Sequence, residues 1–147
     1  GRHMKILAAI DFSPVTEQVV ATLMQMAATL PAQVWLIHVA PPDPAFVGYE
    51  AGPDVVRGQV AVELHASHQK LQKLADRLRA AGVETTALQL QGKTVDTVIA
   101  EAERLPASLI VLGSHGHGAV YNMLVGSVAE GIVRASKVPI LLVPPPR

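Results

Sequence analysis

Five short strand-like runs, separated by four segments with helical periodicity, constrain the fold of this 147-residue chain most strongly. Most of these runs are rich in Ala, Val, Leu and Ile without polar alternation, which is typical of strands buried on both faces of a parallel sheet. They lie at 5–11, 33–40, 83–90, 107–112 and 138–143. Strands that alternate with helices require crossover connections, which are right-handed in nearly all proteins. We therefore predict an α/β fold in which helices cover both faces of one five-stranded parallel sheet.

Helix signals stand between these runs. Ser13 and Pro14 place a capping hydroxyl before a proline at the first helical position, so a helix is predicted to begin there. Apolar residues then recur on one face of a long segment, which predicts a helix at 54–81. Two shorter helices are predicted at 94–104 and 127–136, each capped by the hydroxyl residue with which it opens.

The last run contains a proline, Pro139. A proline has no N–H to donate to a central ladder, so this strand is predicted at an edge of the sheet. An edge strand offers unpaired backbone groups to a second chain. We expect a homodimer that forms through Val138 to Val143.

Composition excludes several classes of protein. Twelve basic and twelve acidic residues leave no net charge, so no broad basic face is expected to bind nucleic acid. The absence of cysteine excludes a disulfide-stapled module, and no apolar run approaches the roughly 20 residues of a membrane helix. We expect one cytoplasmic domain at 4–144, with 1–3 as a tag remnant, 145–147 as a frayed tail and 41–53 as a surface flap.

The segment at 112–130 (LGSHGHGAVYNMLVGSVAE) joins the fourth strand to the last helix and contains four glycines. Ligands of open parallel sheets bind beyond the carboxyl ends of the strands, where a helix N-terminus favours an anion. Glycines in such a loop can adopt positive φ and let backbone N–H groups approach phosphate oxygens. Ser127 adds a hydroxyl. The segment predicts a polyphosphate site that requires little net charge.

Each of these features also has a purely structural interpretation. The glycines can shape a long turn, and Ser127 with Glu130 matches a capping box. Asp11, at the end of the first strand, either holds ribose hydroxyls in the same crevice or caps the helix that follows. Val39, at the end of the second strand, offers backbone groups and an apolar wall to a base.

Two catalytic patterns are incomplete. Gly92, Lys93 and Thr94 reproduce the second half of a Walker A loop, but Ala87 stands where the first glycine would be. The serine in Gly126-Ser127-Val128 is not followed by the glycine of a nucleophile elbow. We predict no catalytic residue.

Two histidine pairs have a spacing that permits metal ligation: His65 with His68, and His115 with His117. No carboxylate–histidine motif supports either pair. The first pair is therefore interpreted as a solvated helix face, and His115 as a donor to phosphate. No metal site is predicted from these residues.

The spacing of Gly113, Gly116, Gly126 and Ser127 resembles the nucleotide-binding pattern G-x2-G-x9-G-[S/T] of the universal stress proteins. The sequences VAE and VPILLV then follow, as is typical of that family, and the resemblance extends from Met4 to Val143. It implies a sheet of order 3-2-1-4-5, a Rossmann-like sandwich that binds ATP beyond strands 1 and 4. Members with this pattern form the ATP-binding branch of the family, and members are commonly homodimers joined through the last strand.

The resemblance also implies a role for individual residues at the nucleotide. Contacts to the base and ribose are implied for Ala9, Ile10, Asp11 and the backbone of Val39. Contacts to the ribose and phosphates are implied for Leu112, Gly113, His115 and Gly116. Contacts to the terminal phosphates are implied for Gly126, Ser127 and Val128. Magnesium or manganese is expected beside the phosphates. In the family a basic residue often follows the second glycine, whereas His117 stands here, so weaker or pH-dependent phosphate binding is expected.

Three functions are compatible with the sequence. The first is a stress-response protein for which ATP is a regulatory ligand. The second is a slow ATPase or phosphotransferase that uses the same site, with Asp11 or a metal-bound water for the chemistry. The third is a nucleotide-free interaction module that binds partners through the flap or the last strand. The complete glycine pattern favours the first.

Overall fold

The computed structural model of the chain describes residues 3–41, 53–116 and 124–146, and within 53–60 only the backbone. Most of the predicted flap at 41–53 lies outside these ranges. So do His117 and Gly118 of the glycine-rich segment.

Strands and helices alternate along the described residues, and each predicted element is present with ends that differ by a few residues. The strands are β1 (Met4–Ile10), β2 (Ala32–Ala40), β3 (Glu84–Gln91), β4 (Leu109–Gly113) and β5 (Ile140–Val143). The helices are α1 (Thr16–Thr29), α2 (Pro53–Ala80), α3 (Thr94–Arg104) and α4 (Ser127–Ala135).

All paired strands run parallel, in the order β3-β2-β1-β4-β5. The predicted sheet is therefore confirmed. β1 lies at the centre, where Ala9 pairs with Leu112 of β4 and Ile10 pairs with His38 of β2. Because the strand order reverses at β1, the carboxyl ends of β1 and β4 frame a crevice in which ligands of such sheets bind.

The sheet carries an apolar core on each face. On one face Leu36 of β2 lies in a buried cluster with Leu78 of α2, and on the other Ile110 of β4 lies in a buried cluster with Ile132 of α4. All four side chains are fully buried. Burial of each contributes about 1.5–3 kcal/mol relative to exposure, so the two cores fix the sheet between its helices.

None of the three predicted hydroxyl caps forms. The N-cap positions of α1, α3 and α4 are Val15, Lys93 and Gly126, each without a side-chain capping bond. Thr94 and Ser127 are therefore the first residues of their helices. The capping box is absent as well, because Glu130 pairs with Arg134 one turn later, at 2.8 Å.

The N-terminus of α1 starts later than predicted because a turn precedes it. The N–H of Ser13 donates to Asp11 Oδ1 at 2.9 Å, and the Ser13 carbonyl accepts from the N–H of Thr16 at 3.0 Å. The Ser13 hydroxyl is buried and has no hydrogen-bond partner among the described residues. Ser13 thus shapes the entry to α1 through its backbone rather than its side chain.

The last strand lies at an edge of the sheet, as predicted, but begins at Ile140 rather than Val138. Pro139 stands just before it, and its carbonyl accepts a hydrogen bond from the N–H of Ile110 at 3.0 Å. Since proline supplies an acceptor but no donor, it suits this position beside β4.

Candidate functional site

A cavity of about 330 Å³ lies at the carboxyl ends of β1, β2 and β4, beside the first turns of α3 and α4. All eleven residues predicted to contact a nucleotide line it. They are Ala9, Ile10, Asp11, Val39, Leu112, Gly113, His115, Gly116, Gly126, Ser127 and Val128. The structure brings the whole predicted set together, while nucleotide contact by these residues stays a prediction.

Three further residues line the cavity and are not predicted from the sequence: Thr94, Ala129 and Ile132. Ala129 and Ile132 are buried and three residues apart on α4, so the helical period of that segment is a signal that could have placed them toward the crevice. Thr94 has no comparable signal, since its position depends on how β3 and α3 meet.

The turn from β3 to α3 explains the incomplete Walker pattern. Gly92 has φ +146°, and a Cβ there would come within 2.6 Å of Thr97 Oγ1. The N–H of Gly92 donates to the carbonyl of Ala40 at 3.1 Å, so the turn lies against the end of β2. Gly92 is thus required by the backbone of this turn, and Thr94, two residues later, reaches the cavity wall.

Asp11 lies at the cavity and also holds the turn before α1, while its contact with ribose stays a prediction. Its exposed carboxylate accepts from the Ser13 N–H and so holds the turn before α1, although it is not a helix cap. It also lines the cavity, where a Cβ at position 116 would overlap its Oδ2. One carboxylate therefore connects the β1–α1 turn to the glycine-rich loop.

The residue after Asp11 has a backbone conformation that is rare for a bulky side chain. Phe12 has φ +60°, and such a conformation costs about 1–3 kcal/mol. Its ring lies 4.7 Å from that of His38, centroid to centroid, and Lys70 Nζ lies 5.7 Å from the ring centroid. The ring of Phe12 therefore lies against β2 and α2 beside the turn.

His38 stands on β2 behind this turn. Burial is the largest effect on the imidazole and lowers its pKa, and the charge of Lys70 lowers the pKa further. A hydrogen bond to Gln89 and the charge of Asp11 raise the pKa, but by less. The ring Nδ1 lies 3.1 Å from Gln89 Oε1. The neutral ring is therefore favoured in the folded protein.

The three motif glycines do not have positive φ, so that part of the prediction is wrong. What the three glycines share is a close approach to another segment of the chain. A Cβ would overlap the Val15 side chain at Gly113 and the Asp11 carboxylate at Gly116, and at Gly126 it would lie 3.3 Å from the carbonyl oxygen of Ser114. The glycines thus mark the place where α1, the β1–α1 turn and the loop converge.

Backbone hydrogen bonds fix the start of α4 at the cavity. The N–H of Gly126 donates to the carbonyl of Ser114 at 2.7 Å. The N–H of Ser114 donates to the carbonyl of Val143 at 2.8 Å. Within α4 the N–H of Glu130 donates to the Gly126 carbonyl. The amides of 127–129 come before that bond and have no acceptor inside the helix, so this first turn favours an anion.

His115 is buried in the wall of the cavity. Its Nδ1 lies 2.8 Å from the hydroxyl of Ser114, which restricts the orientation of the ring. By contrast, His65 and His68 are both exposed on α2, as expected for a solvated face. Within the ranges that the structure describes, no group of three His, Cys, Asp or Glu side chains is arranged to hold a metal ion.

None of the helices that the structure describes is long and apolar enough to cross a membrane.

Residues 3–144 match the model of the universal stress protein family. Universal stress protein A homolog 1 of Coxiella burnetii is 32% identical over 143 residues, which are 96% of this chain and 96% of that protein.

Solved structures share the fold. Hypothetical protein MJ0577 superposes with a TM-score of 0.87 at 22% identity, covering 99% of this chain and 98% of the other. A universal stress protein from Archaeoglobus fulgidus, in complex with dAMP, superposes with a TM-score of 0.66 at 19% identity, covering 96% and 98%.

Proposed function

The chain belongs to the universal stress protein family, and we propose that it binds ATP in the cavity at the carboxyl ends of β1, β2 and β4 as a regulatory ligand in a stress response. The observation that carries this proposal is the convergence of eleven lining residues with the open first turn of α4. A structurally similar protein of the same family holds dAMP.

The cavity suits a nucleotide in size and in the distribution of its polar groups. Its volume of about 330 Å³ is within the roughly 300–1,000 Å³ of small-molecule sites. The base lies against Val39 and Leu112, which present an apolar wall. The carboxylate of Asp11 accepts hydrogen bonds from ribose hydroxyls, as acids do in other nucleotide-binding sheets.

The phosphates lie at the start of α4. The backbone amides there and the Ser127 hydroxyl bind phosphate oxygens without a local basic cluster, which agrees with the balanced charge of the chain. Magnesium or manganese accompanies the phosphates and neutralises part of their charge. No bulky side chain stands at Gly126, so the loop backbone and the helix start approach each other closely.

We also propose that the chain forms a homodimer through its last strand. β5 lies at the edge of the sheet, and Leu141 within it is 37% exposed. An edge strand leaves one row of N–H and C=O groups unpaired, which a second copy can pair or cover.

Calorimetric titration of Mg-ATP into the purified protein tests the proposed ligand. Ser127→Asp adds a negative charge at the first residue of α4, where it favours the helix but repels phosphate. Ser108→Asp adds the same charge at an exposed position before β4, at the opposite end of that strand. We expect 1:1 binding for the parent and for Ser108→Asp, with at least a tenfold loss for Ser127→Asp, the order of one charged hydrogen bond.

Absence of heat in the parent chain would refute ATP binding. Equal affinity of the two variants would refute the placement of the phosphates at α4. Phosphate release, measured in the same samples, separates a regulatory ligand from slow hydrolysis.

A further inference from the structure

The polar side chains that line the cavity are unevenly distributed. Four of the fourteen lining residues have polar side chains: Asp11, Thr94, His115 and Ser127. Three of them belong to the glycine-rich end, because Asp11 lies against Gly116, His115 precedes Gly116, and Ser127 follows Gly126. Thr94 is the exception.

The other end of the cavity is apolar. Its walls include Val39, Leu112 and Ile132, which lie in or against one buried cluster on the α3/α4 face of the sheet. A base with a large apolar face fits this end, whereas phosphate does not.

Two contacts place Thr94 at this apolar end. The Gly92 N–H donates to the carbonyl of Ala40, the neighbour of Val39, which ties the β3–α3 turn to the end of β2. Val95, the residue after Thr94, packs on α4, where a Cβ on Gly131 would lie 2.8 Å from Val95 Cγ2. Thr94 therefore stands between the end of β2 and α4.

The Thr94 hydroxyl is available to a ligand. Thr94 is half-buried, and in the part of the chain that the structure describes its side chain makes no hydrogen bond. It does not cap α3, because that position belongs to Lys93. A threonine hydroxyl both donates and accepts, so it can bond to the polar edge of a heterocyclic base.

We propose that Thr94 is a specificity-determining residue whose hydroxyl bonds to the edge of the nucleobase and thereby separates one base from another. The inference rests on the proposed nucleotide site and adds to it the residue that reads the base. A neutral hydrogen bond of this kind changes relative affinity by about three- to tenfold.

The experiment compares the dissociation constants of Mg-ATP, Mg-GTP, Mg-CTP and Mg-UTP for the parent, Thr94→Val and Thr94→Ser. Thr94→Val keeps the shape of the side chain and removes the hydroxyl, while Thr94→Ser keeps the hydroxyl. We expect the preference among the four bases to shrink about three- to tenfold in Thr94→Val and to persist in Thr94→Ser. Circular dichroism of each variant verifies that the fold is intact.

Two results would overturn the inference. If Thr94→Val weakens all four nucleotides by the same factor, or none of them, Thr94 does not read the base and the proposed ATP site still stands. If the parent binds none of the four triphosphates, the proposed function fails and this inference fails with it.

Discussion

Val15 occupies the space beside Gly113: a Cβ on Gly113 would overlap the Val15 side chain. Gly113 ends β4, and Val15 is the N-cap residue of α1, so the helix approaches the strand at the point where the glycine-rich loop begins. The first glycine of the motif is therefore set by the fold as well as by any ligand.

Gly113→Ala is expected to destabilise the protein by about 1–3 kcal/mol, since the added methyl overpacks the contact with Val15. Val15→Ala removes the atoms that the methyl would meet. We expect the double variant to lose less stability than the two single variants together, by about 0.5–3 kcal/mol in the free energy of unfolding. Urea unfolding of the four proteins measures it, and strictly additive free energies would show that the two positions do not compete for space.

The pH dependence of stability is expected to include a contribution from His38. Because burial lowers its pKa in the folded state, the unfolded chain takes up the proton first as pH falls. The stability from the neutral ring is complete above about pH 6.5 and decreases as pH falls below that value toward the lower folded pKa. His38→Gln should reduce this loss when unfolding free energies are compared at several pH values.

His65→Gln is the matched control, because His65 is exposed on α2. It should retain the pH dependence of the parent. An identical dependence in His38→Gln would contradict the role assigned to the half-buried His38 ring.

Asp11→Asn tests the ribose contact. The amide keeps one oxygen for the Ser13 N–H, removes the charge and replaces the second acceptor oxygen with an NH2 donor. We expect the parent to favour ATP over 2′-deoxy- or 3′-deoxy-ATP, and this preference to fall about tenfold in Asp11→Asn, because a charged hydrogen bond contributes about 1.5–3 kcal/mol. Calorimetry of the ribose analogues measures the ratios.

The control for this change is Asp76→Asn, which removes an equal charge from the exposed surface of α2. Its ratios should match those of the parent. If Asp11→Asn also prefers ATP over the deoxy analogues as strongly as the parent does, the ribose does not contact Asp11.

Leu141→Lys tests the dimer. A lysine at this half-exposed position on the edge strand opposes burial of β5 against a second copy, so the variant should be monomeric. Val62→Lys changes an apolar residue that is 70% exposed on α2 and should leave the dimer intact. Light scattering at micromolar concentration measures the mass, and a monomeric parent would refute the dimer.

The parallel sheet and the place of the cavity could be predicted from the sequence because they depend on general rules of α/β folds, whereas the strand order was implied by the family resemblance. Apolar runs that alternate with helices specify a parallel sheet, and the end of β1 at Asp11 and the loop after β4 then meet at one crevice. The spacing of the glycines also predicted which residues of the loop belong to the site.

What could not be predicted depends on close contacts between segments distant in sequence. The overlap of position 113 with Val15, and of position 116 with Asp11, explains glycines that positive φ does not. Hydroxyl caps fail at Ser13 and Ser127 because the turn held by Asp11 and the bond between Gly126 and Ser114 set the helix starts instead. The sequence pattern around a residue does not indicate which distant residues will contact it.

A crystal structure of the protein with Mg-ATP tests the central claim most directly. The account predicts adenine against Val39 and Leu112, ribose at Asp11 and phosphates at the first turn of α4. A nucleotide bound outside this cavity, or a cavity without nucleotide in crystals grown at saturating Mg-ATP, would contradict it.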